Sequence, residues 1–127
     1  MNGAMGSIFH KFKRTPQPTC AAVIVAAGTA SRMQGVDKMM AVIGDKPVIA
    51  HTLAAFEACQ LVQEVVVVTR SDLIVPIGEV CKTYGFSKVA KVVTGGNDRS
   101  HSVLIGLSEV GQDAEYIAIH DGARPFV

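Results

Sequence analysis

The stretch VIVAAGTASRMQGVDK at 23–38 limits the chain to few architectures. Val23, Ile24 and Val25 are consecutive and apolar, so both faces of that strand need cover, which is the condition of a parallel sheet lying between helices. The small residues Ala26, Ala27, Gly28, Thr29, Ala30 and Ser31 follow at its carboxyl end. In open α/β sheets ligands sit at that edge, and small side chains let main-chain N–H groups close on an anion. Arg32 and Lys38 add two cations to the same loop, a combination suited to a polyphosphate. The segment is neither GxxxxGK[ST] nor a dinucleotide fingerprint, because Ala30 stands where GxG has its second glycine. On its residues alone it reads equally as a phosphate cradle or as an ordinary tight βα connection with solvated cations.

From residue 20 onward apolar runs alternate with helical patterns, as in βαβ units. Strands are expected near 20–26, 64–69, 89–93 and 115–120. Pro47 is expected in the first turn of a helix carrying Val48, Ile49, Thr52, Leu53 and Phe56 at helical spacing. Asp72 is expected to cap a second helix running to about Tyr84, with Pro76 in its first turn or the helix starting later, and Gly85 stopping it. Asn97 or Asp98 is expected to cap a third helix, with Val103, Leu104, Leu107 and Val110 as its apolar stripe and Gly111 at its end. The fold class is therefore α/β, a Rossmann-like, mostly parallel sheet with flanking helices. Residues 1–18, basic and without an acid, read as a flexible leader in which GAMGS at 3–7 resembles a cloning remnant; residues 19–127 read as one nucleotide-binding unit.

Lysine and arginine total 12 against 11 acids, so no broad basic field points to nucleic acid or an anionic membrane, and a small-molecule partner is expected. Cys20, Cys59 and Cys81 are odd in number, lack CxxC spacing and lie in apolar surroundings, which suits free thiols in a reduced, cytoplasmic setting. No apolar run approaches the roughly 18 residues of a membrane span.

Two further segments carry chemistry. Gly95-Gly96-Asn97-Asp98-Arg99 follows an expected strand and leads into a helix, where close backbone approach and the positive helix end suit an anion or a polar base edge. A capped turn is the plainer reading, and Arg99 reads as an ion-pair partner that orders the loop. His120-Asp121 ends a strand. Its aspartate is a reasonable hard ligand for Mg²⁺, which commonly takes one or two carboxylates plus substrate phosphates. His120 reads as a strand-end imidazole making a local hydrogen bond, and His10, His51 and His101 form no metal-ligand spacing.

The run AAGTASRM followed by Lys38 resembles the signature loop of the sugar-phosphate nucleotidyltransferases. GDKPVIAHTL at 44–53, GGNDRSHSV at 95–103 and HDGARPFV at 120–127 narrow the resemblance to the 2-C-methyl-D-erythritol 4-phosphate cytidylyltransferase family over residues 20–127. This resemblance implies a truncated nucleotidyltransferase fold and transfer of CMP from CTP to methylerythritol 4-phosphate, with release of pyrophosphate, in isoprenoid precursor synthesis. It implies Arg32 and Lys38 as catalytic residues, and Ala26, Ala27, Gly28, Thr29 and Ala30 as the nucleotide loop. Gly96, Asn97 and Ser102 then contact cytosine and ribose, Arg124 lies on the sugar-phosphate side, and Asp121 holds Mg²⁺ with the triphosphate. Ala30 replaces a common family glycine and Asn97 a common acid. The resemblance also implies a homodimer in the full-length form, an acceptor pocket built partly downstream, and a chain ending a little over halfway along a family member. Exposed apolar surface on the sheet is expected in consequence. The alternatives are a ribitol 5-phosphate cytidylyltransferase, whose relatives commonly show AGG where Ala26-Ala27-Gly28 stands, and a non-catalytic nucleotide-binding module.

Overall fold

Four strands with long apolar runs pair side by side and in parallel. The structure, a computed structural model, describes residues 18–27, 32–33 and 36–123. Residues 1–17 of the leader, Gly28, Thr29, Ala30 and Arg124 lie outside the described residues. In chain order the elements are β1 (Cys20–Ala26), β2 (Arg32–Met33), β3 (Val36–Asp37), β4 (Val42–Ile43), β5 (Lys46–Pro47), α1 (Val48–Ala58), β6 (Val62–Thr69), α2 (Ile74–Tyr84), β7 (Val89–Thr94), α3 (Arg99–Glu109) and β8 (Tyr116–Asp121). The main sheet has the order β7-β6-β1-β8, and all its adjacent pairs are parallel. The main strands and the three helices fall where the hydrophobic pattern puts them.

The two central strands are buried on both faces, as the unbroken runs of β1 and of Val65–Val68 require. Ala22, Ile24, Val65 and Val67 pack with Ile49, Leu53, Ile77 and Val80 of α1 and α2. Val23, Val25, Val66 and Val68 face Val103 and Leu107 of α3. Ser102 and Gly106 are the buried residues of α3, and a Cβ on Gly106 would meet Val23 Cγ1 and Val68 Cγ2. The helix therefore approaches the sheet along its smallest side chains. This corrects the expected stripe: Leu104, about 200° around the helix from Ser102, is 63% exposed, while Val103, Leu107 and Val110 pack.

Helix ends depart from expectation in instructive ways. Pro47 is the residue before α1, extended at φ −61° and ψ 154°, because it also pairs with Val42 in the β4–β5 hairpin. Asp72 does not cap α2. It pairs with Arg70 (3.1 Å) within a 3-10 turn at Ser71–Leu73, and α2 starts after that turn with Pro76 in its first turn. Gly85 does close α2, at φ 69°. Gly111 is not the stop of α3: Val110 takes an extended conformation there, and the Gly111 N–H donates to Glu64 Oε1 at 3.0 Å. Asp98 caps α3, accepting from the His101 N–H at 2.8 Å.

Cys20 and Cys81 pack at the margin of the core and burial pushes the Cys81 thiol up, whereas Cys59 is exposed beyond α1, contrary to an apolar setting for all three. On the outer edge of the sheet Tyr116, Ile117 and Ile119 of β8 are exposed, in line with the apolar surface expected on the sheet.

Candidate active site at the carboxyl edge

Because all four main strands are parallel, their carboxyl ends share one edge, and the strand order reverses beside β1, between it and β8. Side-chain and main-chain bonds tie that edge together. Gly95 N–H donates to Thr69 O (2.8 Å), Thr69 Oγ1 donates to Ala26 O (3.1 Å), and Gly122 N–H donates to Val25 O (2.9 Å). Buried Thr52, from α1, donates its hydroxyl to Gly122 O at 2.8 Å. Each of these polar groups is paired in a setting where an unpaired one costs about 1–3 kcal/mol, so the edge is held rigidly.

The glycine pair sits tightly against this frame. A Cβ on Gly95 would lie 2.7 Å from both Ala27 Cβ and Ser102 Oγ, and a Cβ on Gly96 would run into the His101 ring. The Gly96 N–H donates to Ser102 Oγ at 3.1 Å. Ser102 is 1% exposed, so its hydroxyl reaches the edge by holding Gly96. Asn97 is exposed at the start of the same turn.

Asp121 ends β8 opposite Val25, on the sheet face that α3 covers. Arg99 opens α3, and its Nε donates to Asp121 Oδ1 at 3.4 Å, the ion-pair role read from the sequence. His120 faces the opposite side, where its ring lies 5.4 Å from that of Phe56. Lys38 is exposed. The next residue, Met39, is buried, and its Sδ lies 3.2 Å from where a Cβ on Gly122 would stand, while Met39 O accepts from Ile49 N–H at 2.9 Å. Arg32 starts the short β2–β3 ladder opposite Asp37, which brings the chain from the loop after β1 back toward Lys38.

Ala26, Ala27, Gly96, Ser102, Asp121 and the residue after Lys38 are thus brought to one edge. Thr52, Thr69 and Met39 belong to the same construction and were not singled out as site residues. Thr52 and Thr69 were legible as hydroxyls inside otherwise apolar runs, the places where a buried polar group needs a defined partner. Among the described residues no cluster of three or more His, Cys, Asp or Glu side chains is placed to hold a metal, so a cation at Asp121 would draw most of its ligands from elsewhere. No helix among the described residues is long and apolar enough to cross a membrane.

This parallel sheet, with flanking helices and with glycine turns and an aspartate gathered at the switch-point edge, has a truncated Rossmann-like nucleotidyltransferase fold, and a solved 4-diphosphocytidyl-2C-methyl-D-erythritol synthase from Anaerococcus prevotii superposes with a TM-score of 0.71 at 27% identity, over 87% of this chain and 45% of that one. A CMP:2-keto-3-deoxy-manno-octonic acid synthetase solved with CTP shares the fold, with a TM-score of 0.64 at 22% identity, over 86% of this chain and 42% of that one. The profile of the family described as 2-C-methyl-D-erythritol 4-phosphate cytidylyltransferase matches residues 20–127, and the chain belongs to that family. Relatives of that name from Dehalococcoides mccartyi and Halalkalibacterium halodurans are each 45% identical over 106 residues, covering 84% and 83% of this chain and 46% of each relative. The chain therefore spans slightly under half of these relatives, against the little over half expected.

Proposed function

We propose that residues 19–127 form the nucleotide-binding part of a cytidylyltransferase that transfers CMP from CTP to 2-C-methyl-D-erythritol 4-phosphate. The observation that carries this reading is the convergence, on one rigid edge, of the Gly95-Gly96 turn, Asp121 and the anchored Lys38–Met39 segment, in a chain of this family.

An acceptor phosphate oxygen attacks the α-phosphorus of CTP, the α–β bridging bond breaks, and pyrophosphate leaves. The nucleophile is already an anion, so no strong general base is required, and catalysis rests on positioning and charge neutralisation. Lys38 and Arg32 meet the negative charge that develops on the α-phosphate and pyrophosphate. Ala26, Ala27, Gly28, Thr29 and Ala30 supply main-chain donors to the phosphates, with Arg124 toward the sugar phosphate. Gly96 and Asn97 present polar groups to the base and ribose, and Ser102 keeps Gly96 in place. Nucleotidyltransferases generally use a divalent metal, here taken as Mg²⁺. Asp121 fits it as a single, partly exposed carboxylate, a donor set that leaves positions for phosphate oxygens and water. When bound, that ion neutralises charge on the phosphates. We further read the protein as cytoplasmic and, at the length of its relatives, homodimeric, with no nucleic acid or membrane partner.

Calorimetric titration of the chain with CTP, with UTP and ATP as controls, with and without Mg²⁺, tests this reading. Selective, Mg²⁺-assisted CTP binding that weakens in Asp121→Ala is expected; equal binding of ATP would reject cytidine selectivity. A second reading is a module that binds the nucleotide without turnover. Pyrophosphate release from CTP and the acceptor by this chain would exclude that module, and better use of ribitol 5-phosphate would change the acceptor.

A further inference from the structure

We infer that Arg99 is a displaceable counter-ion of Asp121: its guanidinium holds the carboxylate at the strand end and gives way when a divalent cation bound with nucleotide phosphates takes the same oxygens. This rests on the reading of Asp121 as a metal ligand given above.

Three features carry it. First, the fold brings the pair together. Ser102 and Gly106 seat α3 close against Val23 and Val68, while the register Val25↔Asp121 turns the aspartate toward that helix. Arg99, the first residue of α3, then sits over the end of β8 and donates to Oδ1.

Second, the bond is weak enough to exchange. At 3.4 Å it is longer than a usual charge-assisted N–H···O contact, and the side chains are 60% and 36% exposed. Exposed pairs of this kind change an equilibrium by about fivefold at most. A cation in the first turn of a helix is also disfavoured by the positive end of the dipole, which the Asp121 carboxylate offsets.

Third, Arg99 and a hard divalent ion compete for the same group. Both want carboxylate oxygen, and among the described residues no cluster of acids surrounds Asp121 to serve both at once. Arg99 thereby pairs with Oδ1 in the unliganded state and gives up that oxygen when the metal–nucleotide arrives.

The test measures Mn²⁺ affinity of the chain in the presence of CTP, by electron paramagnetic resonance of free Mn²⁺, in wild type, Arg99→Gln, Asp121→Asn and Lys91→Gln. Arg99→Gln is expected to bind Mn²⁺ roughly two- to fivefold tighter. Asp121→Asn is expected to lose most of the affinity. Lys91→Gln makes the same charge change at a lysine paired with Glu109, and is expected to match wild type. Unchanged or weaker Mn²⁺ binding in Arg99→Gln, with Asp121 still required, overturns the exchange and leaves the metal reading standing. Equal tightening in Lys91→Gln also overturns it, since net charge would then suffice. Loss of any dependence on Asp121 removes the metal reading and the exchange together.

Discussion

Met39 Sδ stands 3.2 Å from the point where a Cβ on Gly122 would lie, so the residue after Lys38 is packed against the residue after Asp121. Two segments separated by most of the chain are joined there by one flexible thioether and one missing side chain, and the exposed lysine is carried to the strand edge by its buried neighbour. Met39→Ala should therefore do two things. It should lower unfolding free energy by about 2–4 kcal/mol, measured by urea denaturation, and it should weaken CTP binding under conditions where the chain remains folded. A stability loss below about 1 kcal/mol would show that Met39 is not the anchor.

Lys38 itself is expected to act on the transition state. In a version of the chain extended to the length of its relatives, Lys38→Ala should lower kcat by about 10²–10³, the size of losing one donor or cation from a preorganised charge cradle. Pyrophosphate release under saturating CTP is the measurement, and a kcat within about threefold of wild type would remove Lys38 from the catalytic group.

Two helix glycines should respond in opposite directions to the same substitution. A Cβ on Gly78, in α2, meets nothing within 4 Å, so Gly78→Ala should raise stability by about 0.5–1 kcal/mol through helix propensity. In α3, a Cβ on Gly106 would run into Val23 Cγ1 and stand 3.0 Å from Val68 Cγ2, so Gly106→Ala should instead lower stability by about 1–3 kcal/mol. Thermal unfolding of the two variants in parallel distinguishes packing from propensity.

The Thr52 hydroxyl is buried and holds Gly122 O, directly after Asp121. Replacing it by the near-isosteric valine keeps the volume and removes the donor. Thr52→Val should cost about 1–2 kcal/mol in stability and also reduce metal-assisted CTP affinity, because the turn that follows Asp121 loses its tether. Unaltered nucleotide affinity would confine Thr52 to the core.

Glu57 offers a pH test away from the site. Its carboxylate accepts from the Lys88 N–H at 3.0 Å and from Ser87 Oγ at 2.8 Å, and chiefly the Lys88 bond holds its pKa below the ordinary carboxylate value of 4.5. A group lowered in the folded state stabilises fully above its unfolded pKa and loses that contribution as pH falls through the folded value. The stability difference between wild type and Glu57→Gln should thus be constant near pH 7 and shrink as pH drops below about 4.5. A difference that stays flat to pH 3 would deny the carboxylate this role.

Much of this architecture is legible along the chain because it is decided by neighbours a few residues apart. Consecutive apolar residues in β1 and β6 demand cover on both faces, Gly85 takes the positive φ that ends α2, and Asp98 caps α3 from its own side chain. Where sequence reasoning fails, a competing nearby interaction wins over the helical pattern. Pro47 was drawn out of the first helical turn by pairing with Val42, Asp72 was taken by Arg70, and Leu104 was turned outward because Ser102 and Gly106 set the closest approach of α3.

The candidate site divides the same way. The small-residue turn, the glycine pair and the strand-end aspartate are local patterns, and the sequence by itself determined that they would stand at strand ends in a parallel α/β sheet. Only the tertiary structure decided that those ends form one edge in the order β7-β6-β1-β8, that Thr69, Thr52 and Gly122 stitch it, and that Arg99 and Asp121 meet. The reason is physical. Hydrophobic periodicity specifies which face of an element is buried, whereas strand order and long-range pairing follow from how all the buried faces close over one another.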